Sequence, residues 1–210
     1  MIFAFISQPT TPNAQQAMSA LLKAVPAAVP KVGYIASAPD PTREYFSQTQ
    51  QLYRSLNAEL ESYLELGSDY CHEALQTLLS CDVIHLSGGD TQRFLQAVKR
   101  RNLINVLRSY VKNGGAIVGV SAGAMMLTPS IASAALCGDS LEPQSTAQQA
   151  LNLIDFQFVP HFSSAQLTEP KFQQQLQTLA GPIYLCTDND ALVKVDEELF
   201  VYGNPLLIKN

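Results

Sequence analysis

Charged residues, and basic residues in particular, are scarce in this chain of 210 residues. Only 15% of the residues are charged, and 13 Lys and Arg against 18 Asp and Glu give a formal net charge of −5. The longest basic run is the short cluster Lys99-Arg100-Arg101, which is typical of a solvated helix end. The composition therefore argues against a nucleic-acid partner, because such partners are bound by basic surfaces.

The sequence also lacks any long apolar stretch. No apolar run approaches the length of a membrane span, and the first seven residues, Met-Ile-Phe-Ala-Phe-Ile-Ser, contain neither basic residues nor a cleavage site. We therefore expect a soluble, cytoplasmic protein that does not bind membranes. The hydrophobic residues, 47% of the chain, are instead sufficient for a large buried core.

Cysteine is equally sparse. The four cysteines, Cys71, Cys81, Cys137 and Cys186, are widely spaced and form no C-x-x-C or zinc-type Cys/His pattern. Cys71 adjoins His72, but a single pair without further ligands does not make a metal site. The spacing argues against zinc and against a disulfide framework, and we expect all four residues as buried free thiols.

Short apolar runs alternate with amphipathic stretches along the whole chain. This alternation is typical of a single α/β domain, here residues 1–210, in which helices flank one doubly wound, mostly parallel sheet. The apolar runs predict strands at 2–6, 32–36, 63–66, 83–86, 116–120, 156–159, 183–186, 191–195 and 199–202. The amphipathic stretches predict helices at 13–25, 43–61, 72–79, 91–99, 103–112 and 171–179, and residues 128–149 are expected to be irregular.

One stretch follows the G-x-S-x-G pattern with Ser121 at its centre. An apolar strand precedes this serine, a small-residue helix follows it, and Gly119 and Gly123 flank it at minus two and plus two. Such a nucleophile elbow presents the serine hydroxyl at the carboxyl end of the strand, in front of a helix amino terminus that stabilises negative charge. The alternative is a glycine-rich turn that only reverses the chain.

A nucleophilic serine requires a base, and histidine fits this role near neutral pH. The chain has three histidines. His161 directly follows an apolar strand and a proline, at the start of a loop, and is the favoured base. His85 lies inside a predicted strand and is expected to be packed in the core, whereas His72, early in a predicted helix, is expected at the surface.

The histidine in turn requires an acid that orients it. Asp188 follows the strand predicted at 183–186 and is our choice, with Asp190 as the first alternative, although Asp190 is also a residue type that forms turns. Asp139, in the irregular segment, is a weaker candidate. With Asp188 the chain order is Ser–His–Asp, which differs from the Ser–Asp–His order of α/β-hydrolases.

Two backbone N–H groups are expected to form an oxyanion hole. One is that of Ala122, directly after the serine, and the second belongs to Gly88-Gly89, where missing side chains let a ligand approach the backbone. Alternatively, these glycines only form a tight turn in which Asp90 caps the helix at 91–99. The two interpretations are compatible.

Three segments together resemble the peptidase E group of serine peptidases, which includes aspartyl dipeptidases and is related to cyanophycinases. They are Leu-Ser-Gly-Gly-Asp-Thr at 86–91, Gly-Val-Ser-Ala-Gly-Ala at 119–124 and Phe-Gln-Phe-Val-Pro-His-Phe at 156–162. The resemblance spans nearly the whole chain and implies a flavodoxin-like fold similar to that of class I glutamine amidotransferases. It implies Ser121 as nucleophile, His161 as base, Asp188 as acid, and Gly89 and Ala122 as oxyanion donors, without a metal or cofactor.

The chain departs from the peptidase E pattern at two points. Aspartyl-specific members carry an arginine downstream of the Pro-His motif, but residues 163–175 contain only Lys171 as a basic residue, and lysine lacks the bidentate fork of arginine. Asp90 stands where relatives commonly have Asn. Gly88, Asp90 and Lys171 are the candidate substrate-binding residues.

The sequence thus predicts a serine peptidase, monomeric or homodimeric, that hydrolyses short peptides such as dipeptides through an acyl-enzyme. An N-terminal aspartyl substrate is one possibility within that class. The alternatives are an amidase or cyanophycinase-like hydrolase, which would use the same nucleophile, and a non-catalytic binding module of the same fold.

Overall fold

The computed structural model describes residues 1–209, except for the side chain of Ser145. Its strands are β1 Ile2–Ile6, β2 Lys31–Ala36, β3 Glu59–Glu65, β4 Val83–Leu86, β5 Ala116–Val120, β6 Gln157–Val159, β7 Pro182–Leu185, β8 Ala191–Val195, β9 Glu198–Tyr202 and β10 Leu206–Lys209. Its helices are α1 Pro12–Ala24, α2 Glu44–Ser55, α3 His72–Leu79, α4 Thr91–Arg100, α5 Leu103–Lys112, α6 Ala122–Met125, α7 Ser145–Gln148 and α8 Pro170–Thr178. Ile131–Cys137 and Ser164–Thr168 are short 3₁₀ segments.

The central sheet has seven strands in the order β3-β2-β4-β5-β1-β8-β9. The first five are parallel to one another, and β8 and β9 continue the sheet in antiparallel orientation. Strand β1 shows why helices cover both faces, because its side chains alternate between two cores. Phe3 and Phe5 pack into the core beneath α4 and α5, and Ala4 and Ile6 pack into the core beneath α1. The predicted doubly wound, mostly parallel class is confirmed.

Three strands form a second sheet in the order β10-β7-β6, which the prediction of one sheet did not contain. Strands β6 and β7 run parallel, β10 pairs antiparallel with β7, and a small apolar core that includes Phe172 packs against them. The apolar runs correctly indicated β6 and β7, but β10 was missed. An apolar run identifies a strand without specifying its neighbour, so the division into two sheets could not be derived from it.

The boundary between α2 and β3 differs from the prediction. The helix expected over 43–61 ends at Ser55, and β3 begins at Glu59 rather than at residue 63. Asn57 takes a left-handed conformation with φ 60°, which breaks the helix. The strand then alternates exposed and buried residues, and its exposed glutamates resemble a helix surface in the sequence.

The segment 128–149 and the cysteines also require corrections. This segment contains one 3₁₀ turn and the four-residue helix α7 rather than being wholly irregular. Cys81 and Cys186 are buried as expected, but Cys137 is half-buried and Cys71 is exposed. Cys71 lies at the exposed start of α3, where its thiol donates a 2.8 Å hydrogen bond to the carboxylate of Glu73. Among the described helices, none combines the length and apolarity that crossing a bilayer would require.

Candidate active site

Ser121 occupies a sharp turn between strand β5 and helix α6. Its backbone has φ 49° and ψ −108°, a conformation that L-residues rarely adopt. Hydrogen bonds hold this conformation, since the Ser121 N–H donates to the carbonyl of Ile6 at 2.8 Å and the Ser121 carbonyl accepts from the N–H groups of Ala124 and Met125. The segment therefore has the geometry of a nucleophile elbow, as its sequence predicts.

The two glycines of the motif are required by the close approach of the helix to the sheet. A Cβ on Gly119 would lie 2.6 Å from the backbone nitrogen of Ala124. A Cβ on Gly123 would collide with the backbone carbonyl of Leu86 in the neighbouring strand. Both obstacles are backbone atoms, which cannot rotate away as a side chain can.

The structure brings Ser121, His161 and Asp188 into one hydrogen-bonded chain. The Nε2 atom of His161 lies 2.9 Å from the Oγ atom of Ser121, and its Nδ1 atom lies 2.5 Å from Oδ1 of Asp188. Each residue follows the carboxyl end of a strand, and the His161 and Asp188 side chains are 43% and 62% exposed. The arrangement can move a proton from the serine to the imidazole while the carboxylate holds the opposite ring nitrogen, and it is open to water.

Two backbone anchors hold His161 in this orientation. His161 has φ 57°, and its N–H donates to the buried hydroxyl of Ser7 at 2.8 Å. The next amide, that of Phe162, donates to the carbonyl of Cys186 at 2.8 Å. Ser7 was not among the residues predicted from the sequence, although its position directly after β1, at the carboxyl edge of the parallel strands, was a usable signal.

The other two candidate acids have different partners. Both carboxylate oxygens of Asp190 have hydrogen-bond partners: Oδ2 accepts from the N–H and hydroxyl of Thr187 in its own loop, and Oδ1 accepts from the N–H of Asn204 in the loop after β9, each at 2.7 Å. Asp139 accepts from the N–H of Thr91 at 3.2 Å, at the start of α4. Of the three acids weighed from the sequence, only Asp188 contacts His161.

The remaining histidines lie where the sequence predicts. His72 is exposed at the start of α3, whereas His85 is buried, with its Nδ1 atom 3.0 Å from the hydroxyl of Tyr53. The ring of His85 stacks on that of Tyr34 at a centroid distance of 5.0 Å. Burial lowers the pKa of His85 from 6.5 to about 3, because the charged form would lose its hydration. His85 is therefore neutral at physiological pH.

The pKa of His85 makes the stability of the protein depend on pH. As the pH falls below about 6.5, the imidazole of His85 takes up a proton in the unfolded chain but not in the folded protein. The free energy of unfolding is therefore highest above about pH 6.5 and decreases as the pH falls. We expect the free energy of unfolding to lose about 1.4 kcal/mol per pH unit from this group between about pH 6 and 4. Urea denaturation of wild type and His85→Gln at several pH values measures this difference in slope, and equal slopes would contradict the buried neutral state.

Gly88 and Gly89 lie directly beside the elbow. A Cβ on Gly88 would be 3.6 Å from Cβ of Ser121. The loop is fixed by two serines, since the Ser37 hydroxyl donates to the Gly88 carbonyl at 2.5 Å and the Ser37 N–H donates to the Ser87 hydroxyl at 2.8 Å. Gly89 has φ 140°, and a Cβ there would collide with the Ser37 hydroxyl, so a side chain is excluded.

Ala122 directly follows Ser121, as the first residue of α6. It is fully buried, and the N–H of a first helical residue has no acceptor within its own helix. Gly88 thus lies close to Ser121 and Ala122 directly follows it, and the roles of Gly89 and Ala122 as oxyanion donors stay a prediction. Over residues 1–209, no three His, Cys, Asp or Glu side chains that the structure describes form a group that could hold a metal ion.

Comparison with known proteins identifies the family. The model of peptidase family S51 matches residues 3–202. The chain belongs to peptidase family S51. Similar proteins include YgaJ of Bacillus subtilis, an uncharacterized peptidase, which is 25% identical over 81% of this chain and 72% of its own length. A peptidase E of Haemophilus influenzae is 30% identical over 70% of this chain and 66% of its own length.

Solved structures agree with the fold of this S51 peptidase. A Listeria monocytogenes protein named as a candidate peptidase E matches with a TM-score of 0.75 at 21% identity, over 97% of this chain and 98% of its own. A peptidase from an acI-B1 Actinobacterium matches with a TM-score of 0.70 at 16% identity, over 99% and 93% of the two chains. The resemblance to peptidase E and the class I glutamine amidotransferase-like fold are confirmed, and family membership makes the chain a serine peptidase.

Two residues predicted to bind substrate, Asp90 and Lys171, lie at the starts of helices α4 and α8 of this S51 peptidase, and their role in substrate binding stays a prediction. Asp90 caps α4, where its Oδ1 atom accepts from the N–H of Arg93 at 2.8 Å, and its Oδ2 atom lies 3.5 Å from Nε of the same arginine. The helix-capping interpretation of Asp90 is thus confirmed. Lys171 is exposed in the first turn of α8, and no hydrogen bond or ion pair among the described residues joins it to Ser121 or His161.

Proposed function

We propose that this serine peptidase hydrolyses short peptides, such as dipeptides, through an acyl-enzyme formed on Ser121. The observation that carries the proposal is the continuous contact from the Ser121 hydroxyl through both nitrogens of His161 to Asp188. A serine hydroxyl without such a base is a weak nucleophile near neutral pH. The exposure of the His161 and Asp188 side chains leaves room for a small substrate.

In the proposed reaction, the Ser121 oxygen attacks the peptide carbonyl carbon while Nε2 of His161 takes the hydroxyl proton. Asp188 keeps the ring oriented and stabilises the imidazolium, and the N–H groups of Gly89 and Ala122 hold the negative charge on the former carbonyl oxygen. The C–N bond then breaks, and His161 gives its proton to the leaving amine. Water, deprotonated by His161, releases the acyl group and restores the Ser121 hydroxyl.

The position of the Ser121 hydroxyl also explains why water can reach the acyl group. The turn lies at the carboxyl edge of the parallel strands of the central sheet, where Ser121 meets His161 and Asp188, which follow β6 and β7 of the second sheet. Sites in open α/β sheets form at this edge because the loops there converge. We further propose that the enzyme acts in the cytoplasm, as its sequence predicts.

Labelling with a fluorophosphonate tests the proposed nucleophile. We expect intact-mass spectrometry to show one adduct on the wild-type protein and none on Ser121→Ala or His161→Ala, because the reagent reacts only with an activated serine. His72→Ala serves as the control, since it removes an exposed histidine outside the site. An adduct that persists on Ser121→Ala, or folded wild-type protein that stays unlabelled, would contradict the proposal.

A further inference from the structure

A cleft of about 660 Å³ opens beside the proposed catalytic serine. Its wall next to the elbow consists of Gly88, Gly89 and Val120, the last of which directly precedes Ser121 in the chain. The cleft extends away from the serine along the loop after β2 and the first turns of α2, over Ser37, Asp40 and Tyr45 among others. Its volume lies within the range of small-molecule sites, about 300–1,000 Å³.

Asp40 is the single ionisable acid in the described lining of this cleft, and no lysine or arginine lines it. Its Oδ1 atom accepts hydrogen bonds from the Thr42 hydroxyl at 3.2 Å and the Glu44 N–H at 3.3 Å. Its Oδ2 atom is buried and has no hydrogen-bond partner. A buried carboxylate oxygen without a donor is costly, and a donor on a bound ligand would offset this cost.

Three aromatic rings contribute to the lining of the cleft. Tyr34 is almost fully buried, Tyr45 is 70% exposed, and both line the cleft together with His85. His85 carries no charge at neutral pH, because burial lowers its pKa to about 3. The ring of Tyr34 is stacked between those of His85 and Tyr63, so Tyr45 is the tyrosine exposed to a ligand. The cleft thus combines one carboxylate with an exposed tyrosine, and both attract a cation.

We propose that this cleft binds a positively charged group of the substrate, with Asp40 as its counter-ion. The inference rests on the proposed function in one respect, since it takes the cleft to be part of the same substrate site as Ser121. Two groups of a short peptide supply the required chemistry, the α-ammonium group and a basic side chain. A carboxylate side chain on the substrate would instead be repelled by Asp40.

Binding of three dipeptide analogues to full-length Ser121→Ala protein tests the proposal without turnover. Lysyl-alanine carries both cations, norleucyl-alanine only the α-ammonium group, and hexanoyl-alanine neither, while the carbon chain keeps its length. We expect calorimetry to show binding about 10- to 100-fold weaker for hexanoyl-alanine than for lysyl-alanine, the range for a hydrogen bond to a charged group. The affinity of norleucyl-alanine shows which of the two cations is responsible.

The same three analogues are then bound to two double variants, Ser121→Ala/Asp40→Asn and Ser121→Ala/Asp155→Asn. These measurements show which carboxylate causes the preference for the cationic analogue. Asp40→Asn keeps an oxygen acceptor for the Thr42 and Glu44 donors, so the loop should stay folded while the charge is lost. Asp155→Asn makes the same change at an exposed position just before β6, outside the described lining of the cleft. We expect the ratio of the affinity for lysyl-alanine to that for hexanoyl-alanine to fall towards one with Asp40→Asn and to persist with Asp155→Asn.

A ratio near one in the Ser121→Ala protein, an unchanged ratio with Asp40→Asn, or no binding of any analogue at millimolar concentration would each overturn the proposal. Fluorophosphonate labelling of wild type separates this failure from that of the proposed function. A labelled serine with a ratio near one refutes only the role of the cleft. An unlabelled serine with a ratio that depends on Asp40 refutes the proposed reaction and leaves the cleft as a cation-binding site.

Discussion

Replacing Asp188 with Asn should lower kcat for a dipeptide substrate about a thousand-fold while leaving the free energy of unfolding nearly unchanged. The amide keeps the size of the side chain, but it removes the negative charge and disturbs the tautomer that points Nε2 of His161 at Ser121. In serine proteases this change costs about four orders of magnitude, and the exposure of Asp188 reduces our expectation. Because Asp188 is 62% exposed, little packing energy is lost.

Asp190→Asn is the matched comparison two residues away. Asp190 is buried and accepts three hydrogen bonds, from Thr187 and Asn204, so an amide group there would face N–H donors. We expect this variant to lose about 2 kcal/mol of stability, the cost of leaving buried polar groups unpaired. Steady-state kinetics measures kcat of both variants, and thermal melts measure their stability. An Asp188→Asn enzyme with wild-type kcat would exclude Asp188 as the acid of the site.

Replacing Gly123 with Ala should destabilise the protein by about 3 kcal/mol or more, the upper range for overpacking in a core. The added methyl group would collide with the carbonyl of Leu86. Leu86 ends strand β4, which is hydrogen-bonded on both sides, to β2 and β5, and cannot move away without breaking the sheet. The better helix propensity of alanine, about 1 kcal/mol, is too small to compensate.

Gly67→Ala provides the control for this prediction. The nearest atom to a Cβ on Gly67 is the Oε1 of the flexible Glu65 side chain, at 3.2 Å, which can rotate away. We expect its free energy of unfolding, measured by urea denaturation, to stay within about 0.5 kcal/mol of wild type, as for most surface substitutions. If Gly123→Ala were as stable as Gly67→Ala, the helix would not pack as closely on the sheet as described.

The local parts of the site were predictable because neighbouring residues encode them. The flanking glycines, the apolar strand before Ser121 and the small residues after it all lie within a few positions, and together they specify a strained turn at a strand end. The same holds for His161 and Asp188, which each follow an apolar run. The pairing of β6 and β7, in contrast, involves segments more than twenty residues apart, and their separate sheet was not predicted.

The sequence alone could not decide which aspartate contacts the histidine. Asp188 and Asp190 are both aspartates in one turn, and the pattern ranked them without excluding either. The structure separates them by contact, since Asp190 accepts from Thr187 and Asn204 whereas Asp188 reaches His161. Their functional roles stay a prediction, which the two asparagine variants test.

By itself, the sequence determined the α/β class, the elbow around Ser121 and the residues available as base and acid, because local sterics and the spacing of apolar residues depend on adjacent positions. Only the tertiary structure decided that Ser7 anchors His161, that Ser37 and Ser87 fix the loop at Gly88, and that Asp40 lines a cleft while its Oδ2 atom has no hydrogen-bond partner. These contacts join segments far apart in the chain, and the packing of the whole molecule determines which of them meet.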